Sequence, residues 1–203
     1  MKSSIAEIQP ILGTSMGGGF YAGRIMIEGQ AYALIVAPKA EGEKNGSTWI
    51  GRNKSVTGAL SYVDGLANTC AMAEAGSKLA LWAQELRIGG FDDWYLPAQD
   101  ELEVVYRNLK PTADENSCYA RSGINLSAIE PTRPYTPEFP LQTEAELFKA
   151  GGSEAFDADW YWTSTQHAAY SGYAWYQDFN GGSQDYYGKS AELRARAVRR
   201  LPI

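Results

Sequence analysis

Apolar and polar positions recur along this chain with periods that name its elements. Residues 19 to 37, GFYAGRIMIEGQAYALIVA, hold two apolar segments on either side of Glu28-Gly29-Gln30. Tyr21, Ile25 and Ile27 are spaced as on one face of a pleated strand, which predicts a β-hairpin. Residues 1–18 precede it as a lead-in. Residues 38 to 58 are rich in Gly, Lys, Asn and Ser and read as a surface loop within the same domain, anchored by Trp49 and Ile50 as a short strand. From Asn68 to Leu86, the positions Met72, Ala75, Leu79, Trp82, Ala83 and Leu86 recur at three, four and seven residues, the stripe of one α-helix that Gly89-Gly90 ends. A second helix is predicted from Pro97 to Leu109, with Leu102, Val105, Tyr106 and Leu109 on its apolar stripe and Asp100 and Glu101 where the helix dipole favours acids.

Residues 110–158 are dense in Pro, Ser, Thr, Asn and Gly, and the run Pro131-Thr132-Arg133-Pro134-Tyr135-Thr136-Pro137 propagates neither helix nor central strand. A long irregular insertion of this kind in a compact domain is functional or an ordered excursion. Strands return at Trp160 to Thr165, Ala174 to Phe179, Ser183 to Tyr187 and Leu193 to Leu201. No internal repeat and no coiled coil is found. The pattern gives one α+β domain over residues 1–203: two helices packed on small antiparallel sheets, with long irregular loops.

Composition narrows the function. The 44% of hydrophobic residues and 12% of aromatics suffice for a sizeable core without metal or disulfide staples. A net charge of -6 disfavours nucleic acid and anionic lipid as partners. No apolar run approaches membrane-spanning length and no secretory signal opens the chain, so synthesis in the cytoplasm is expected, with any outside role needing a carrier or lysis. Cys70, in a helix, and Cys118, in a loop, read as unpaired thiols.

Three segments carry a family resemblance. Gly89-Gly90-Phe91-Asp92-Asp93-Trp94-Tyr95-Leu96-Pro97 followed by Asp100-Glu101-Leu102 resembles the DWRLPT-x-x-EL signature of the DUF1566 (Lcl C-terminal) family. Tyr161-Trp162-Thr163-Ser164-Thr165 resembles its YWSST, and Ala174-Trp175 through Phe179 with Arg196-Ala197-Val198-Arg199 resembles its closing strands. Tyr95 and Ala98 depart from the signature, and Ala98 removes the hydroxyl of a capping box. The resemblance implies the C-type-lectin-like fold in the variant shared with formylglycine-generating enzymes. It also implies a recognition domain of phage tail proteins or bacterial adhesins, sometimes the variable protein of a diversity-generating retroelement.

Between Trp160 and Tyr187, nine of 28 residues are Tyr or Trp, interspersed with Ser, Gly, Asn, Gln and Asp, the composition of an antibody paratope. If Asn180-Gly181 forms a two-residue type I′ turn, Asp178 pairs with Ser183 and Tyr176 with Asp185. Tyr176, Asp178, Ser183, Asp185 and Tyr187 then share one face, while Trp175, Gln177 and Phe179 point to the core. Tyr170, Tyr173, Tyr176, Asp178, Asn180, Ser183, Asp185 and Tyr187 are the candidate ligand-binding residues. Either a glycan or a protein epitope suits them.

Bond chemistry finds no matching set of groups, and no cofactor, metal or catalytic residue is expected. Oxygen-ligand motifs for calcium are missing, Glu130-Pro131-Thr132 being a fragment. By resemblance, a formylglycine-generating enzyme would bind copper through a cysteine pair near the terminal strands, where Cys70 and Cys118 do not fall. His167 is the only histidine and reads as a loop residue. Asp92 and Asp93 read as loop carboxylates fixing the turn before Trp94. Gly17-Gly18-Gly19 lacks the lysine of a phosphate loop. Arg194, Arg196, Arg199 and Arg200 are expected to pair within the molecule with carboxylates, including Glu192. The expectation is a phage or prophage virion protein, most simply of the tail, that binds a host cell-surface receptor. A virion decoration docking on other virion subunits is the alternative, a homo-oligomer, best a trimer, the expected assembly, and a bacterial cell surface the less favoured location.

Overall fold

The structure, a computed structural model, describes residues 10–51, 54–119, 121–130 and 132–203. Residues 1–9 of the lead-in and Pro131 of the proline run lie outside the described residues. In chain order the elements are β1 (Ser15–Met16), β2 (Gly19–Ile27), β3 (Gln30–Val36), α1 (Lys39–Gly42), β4 (Glu43–Thr48), α2 (Gly65–Glu74), α3 (Lys78–Glu85), α4 (Gln99–Leu109), β5 (Trp160–Gln166), β6 (Tyr173–Asp178), β7 (Gln184–Gly188), β8 (Glu192–Arg196) and β9 (Val198–Pro202). They make a mixed α+β architecture with two sheets, ordered β1-β2-β3-β9 and β4-β8-β5-β6-β7.

The β2–β3 hairpin forms where alternation places it. Its turn residues Glu28 and Gly29 take φ of 49° and 82°, the left-handed pair whose twist matches the flanking strands. α4 buries Leu102, Val105, Tyr106 and Leu109 against Ala22, Leu34, Tyr161 and Phe179. A second cluster gathers Trp49, Met72, Leu79, Ala83 and Trp162. Tyr161 and Trp162, neighbours on β5, therefore point into different clusters. The middle of the five-stranded sheet is buried on both faces, so β5 and β6 bury Thr163, Ser164, Thr165, Gln166 and Gln177 along with their rings and show no in–out alternation of burial.

The structure corrects several expectations. The stripe from Met72 to Leu86 belongs to two helices. Gly76 takes φ 88° and Ser77 caps α3, its Oγ accepting from Ala80 N–H at 3.3 Å and donating to Trp49 O at 2.5 Å. Gly89 and Gly90, at φ 61° and 83°, turn the chain between Ile88 and Phe91 and cap no helix. The run Leu193 to Leu201 is two strands in different sheets, separated at Ala197, whose N–H donates to Gly42 O. The 38–58 loop contains β4, with Trp49 and Ile50 just beyond it and buried, and the lead-in contains β1. The sheets are antiparallel except where β5 meets β8, which run parallel.

α4 starts at Gln99, two residues after Pro97. Ala98 has no side-chain oxygen to offer, yet Glu101 supplies its half of the capping box, Oε2 accepting from Ala98 N–H at 2.7 Å. Residues 110–158 form no strand or α-helix among the described residues, only a 3-10 turn at Glu146–Phe148. Polar bonds order the segment: Asn116 Nδ2 donates to the carbonyls of Thr136, Pro137 and Pro140, and Tyr106 Oη donates to Asn116 Oδ1 at 2.8 Å. No described helix is long and apolar enough to cross a membrane.

Candidate ligand-binding surface

β6 and β7 set the geometry of the tyrosine-rich segment. Their register pairs Ala174 with Tyr187, Trp175 with Tyr186 and Tyr176 with Asp185, and Asp178 N–H donates to Ser183 O at 2.9 Å. Tyr176, Asp178, Ser183, Asp185 and Tyr187 thus share a face, as the spacing predicts. The connection is not a type I′ turn. It is a four-residue loop, Phe179 to Gly182, in which the left-handed residue is Gly182 at φ 79°. Phe179 leaves the strand to stack on Phe156 at 4.0 Å in the core, and the Asp178 carboxylate accepts from Asn180 N–H at 2.8 Å and Gly181 N–H at 3.2 Å. Burial of the Phe179 ring and this Asx-type capping displace the tighter turn.

Strand alternation divides the rings between two faces. On one face lie Tyr173, Trp175 and Tyr186, joined by His167 and Tyr170 from the loop before β6. His167 stacks on Tyr170 at 4.9 Å and on Trp175 at 5.3 Å, and its centroid is 4.2 Å from that of Tyr186. Tyr170 and Tyr173 are 55% and 44% exposed, and Tyr186 is half-buried. The loop is closed by short-range bonds: His167 Nδ1 accepts from Tyr170 N–H at 3.0 Å, and Tyr173 N–H donates to Tyr170 O at 2.9 Å. Burial holds His167 below its ordinary pKa against the pull of Asp185, which keeps the imidazole neutral at pH 7 and its Nδ1 free to accept. At the inner end, Tyr62 lies 6.2 Å from Trp175, and the Arg121 guanidinium covers Tyr62 at 4.2 Å while pairing with Asp100.

On the opposite face, Trp160 stacks on Tyr176 and meets Tyr187 at 5.6 Å. Tyr187 is 48% exposed, whereas Tyr176 is buried.

The eight candidate residues therefore do not form one patch. Tyr170 and Tyr173 open on the first face and Tyr187 on the second. Tyr176 and Asp178 are buried, one in a ring stack and the other capping the loop, where burial raises its carboxyl above the ordinary range. Asn180 is exposed at the loop tip, and Ser183 and Asp185 are half-buried. Asp185 Oδ1 accepts from Tyr186 N–H at 2.8 Å. Sequence reasoning missed Tyr186, His167 and Trp160. The period of two placed Tyr186 beside Trp175, on the face assigned to the core; Trp175, Gln177 and Phe179 are buried as assigned, whereas Tyr186 on the edge strand is only half-buried.

The other candidates resolve into structure. Asp93 does not fix its own turn: it accepts from Arg199 Nε at 2.7 Å and Nη2 at 2.9 Å, tying the Trp94 loop to β9. The arginine run pairs with carboxylates as expected, Arg194 with Glu43, Asp157 and Asp159, Arg196 with Glu154, and Arg200 with Asp64. Glu192 takes no part in these pairs among the described residues. Cys70 is half-buried and Cys118 exposed, neither in a disulfide. Among the described residues no group of three His, Cys, Asp or Glu side chains could hold a metal ion. A groove of about 470 Å³ beside Arg107, Arg133, Phe139 and Leu141 shares no residue with the rings.

Two comparisons bear on this arrangement. The family model described as the Lcl C-terminal domain matches residues 41–199, a span that includes every ring of both faces. No curated protein matches the chain.

Proposed function

The chain belongs to the Lcl C-terminal domain family, and from that premise we propose that it is a recognition domain with a C-type-lectin-like fold of the formylglycine-generating-enzyme type. It serves as a phage or prophage virion protein of the tail and binds a host cell-surface receptor through the rings on β6, β7 and the loop before them. The observation that carries this reading is the cluster of Tyr170, Tyr173 and Tyr186 around His167, held rigid by ring contacts yet open to water. Rigid amphipathic rings supply contact area at low entropic cost, and a soluble chain that displays them at one site spends stability on recognition. No catalytic group and no cofactor enters this reading.

The second ring group favours a second contact. Trp160 and Tyr187 open on the opposite face, where another virion subunit or another copy of the chain docks in the reading of the domain as a decoration or tail component. Assembly as a homo-oligomer, a trimer in the simplest case, multiplies weak single-site contacts. Variation of the exposed rings by a diversity-generating retroelement would change the receptor and leave the scaffold intact.

The test is adsorption. Purified full chain is applied to bacterial surface preparations, untreated, treated with periodate or treated with protease, and then used to compete with phage adsorption. Saturable binding that blocks adsorption supports the reading, and the treatment that abolishes it tells glycan from protein. Binding confined to virion subunits supports the decoration reading instead.

A further inference from the structure

We propose that the corner formed by Tyr170, Tyr173 and Tyr186 binds an alkylated ammonium group, a quaternary ammonium of the choline type above all. This rests on the recognition reading and narrows it to a ligand class. Three rings meet at the corner. Tyr170 and Tyr173 are 6.3 Å apart with planes at 70°, Tyr173 and Tyr186 are 5.8 Å apart at 89°, and Tyr170 and Tyr186 are 6.0 Å apart at 37°. Rings set nearly perpendicular pack edge to face, and Tyr170 and Tyr173 remain 55% and 44% exposed. A cation within about 6 Å of several centroids is attracted by each of them.

The local charge points the same way. Asp185 precedes Tyr186 on β7, accepts its N–H, and is the charge that bears on His167. His167, stacked on Tyr170, is held toward its neutral form by burial. Among the described residues, two basic groups are engaged elsewhere: Arg121 with Asp100 and the face of Tyr62, and Lys189 Nζ with Gln166 Oε1 and Lys54 O. The chain as a whole carries -6. Asp185 lies on the opposite face of the strand but bears electrostatically on His167 and Tyr186, so its field favours a cation over an anion at the ring faces. Alkyl groups on the nitrogen add apolar contact with the same rings.

The test titrates choline chloride into the full chain, followed by tyrosine fluorescence and by NMR, against 3,3-dimethylbutanol, the neutral molecule of the same shape. Choline binds tighter than the alcohol by on the order of tenfold. Tyr173→Ala removes that difference, Tyr173→Phe keeps it because the ring face remains, and Leu126→Ala, at an exposed residue of the irregular 110–158 segment, leaves it unchanged. Equal binding of the two molecules, or no binding of choline, overturns the assignment. If bacterial surface preparations bind through Tyr170 and Tyr173 while choline neither binds nor competes, the ammonium class falls and the recognition reading stands. If choline binds but surface binding ignores both tyrosines, the ammonium site stands and the recognition reading falls.

Discussion

Trp160 and Tyr176 stack with ring centroids 4.6 Å apart and planes 17° apart, joining β5 to β6 across the sheet. Tyr176 is 5% exposed and packs into the cluster of Trp49 and Trp162, while Trp160 covers it from outside. Tyr176 thus belongs to the scaffold, although its position in the sequence is indistinguishable from that of a surface tyrosine.

Tyr176→Ala is expected to cost about 3–5 kcal/mol, the range of large aromatic truncations in cores. Tyr170→Ala, at an exposed ring, is expected to cost under about 1 kcal/mol. Urea denaturation of the two variants, read by far-UV circular dichroism, checks the contrast. Equal costs would place both rings in the same structural role.

Gly182 closes the β6–β7 loop at φ 79°, and a Cβ there would fall 2.5 Å from Tyr106 Oη. Gly182→Ala is expected to destabilise by about 1–3 kcal/mol through left-handed strain and displacement of Tyr106. Gly181→Ala is expected to cost less, since its nearest contacts lie at 3.2 Å and 3.3 Å and its φ is not left-handed. Comparison of the two midpoints tests the loop geometry: a type I′ turn would require positive φ at position 181 and would reverse the order.

Arg196 is fully buried. Its Nε donates to Ala37 O at 2.9 Å, Nη1 to Glu154 O at 2.7 Å and Nη2 to the Glu154 carboxylate at 2.6 Å. Removing one partner of such a pair leaves buried groups uncompensated, so Arg196→Ala is expected to cost about 3–5 kcal/mol. Arg194→Ala, at a partly exposed site, is expected to cost about 1 kcal/mol or less. Thermal melts of both variants read the difference.

The hairpin β2–β3, the helix α4 and the register of β6 with β7 were legible because each carries its period within one element. Where the chain changes direction without breaking its period, sequence failed. Met72 and Leu79 keep helical spacing across Gly76-Ser77, so α2 and α3 read as one helix. Leu193 to Leu201 stays strand-like through Ala197, where the chain passes from one sheet to the other. The tyrosine-rich segment was marked by composition, but its division between two faces was not. Alternation says that Tyr186 and Tyr187 point apart, yet whether a given face meets core or water depends on α4 and the loops, which no local pattern encodes.

Stability should fall from the acid side toward neutral pH. Burial raises Asp100 to about 6 and Glu101 to about 7, and also raises Glu43 and Asp178. The Glu101 carboxylate is held from rising further by donors from Tyr95, Ala98 and Gly65. Between the unfolded values near 4 and the folded values of about 6 and 7, the native state binds more protons than the unfolded chain, so stability decreases as pH rises through this window. Denaturation at about pH 5 and about pH 8 is expected to differ by on the order of 4 kcal/mol in favour of the acid condition. Asp100→Asn should flatten the slope; a slope of opposite sign would contradict the account.

The most direct measurement is the binding of the double variant Tyr170→Ala/Tyr173→Ala to the surface preparation that the unaltered chain binds, with melting temperature as control. The account predicts that binding falls by at least about tenfold while the melting temperature stays within about 2 °C, since both rings are open to water and peripheral to the core. Undiminished binding by a folded double variant would contradict it.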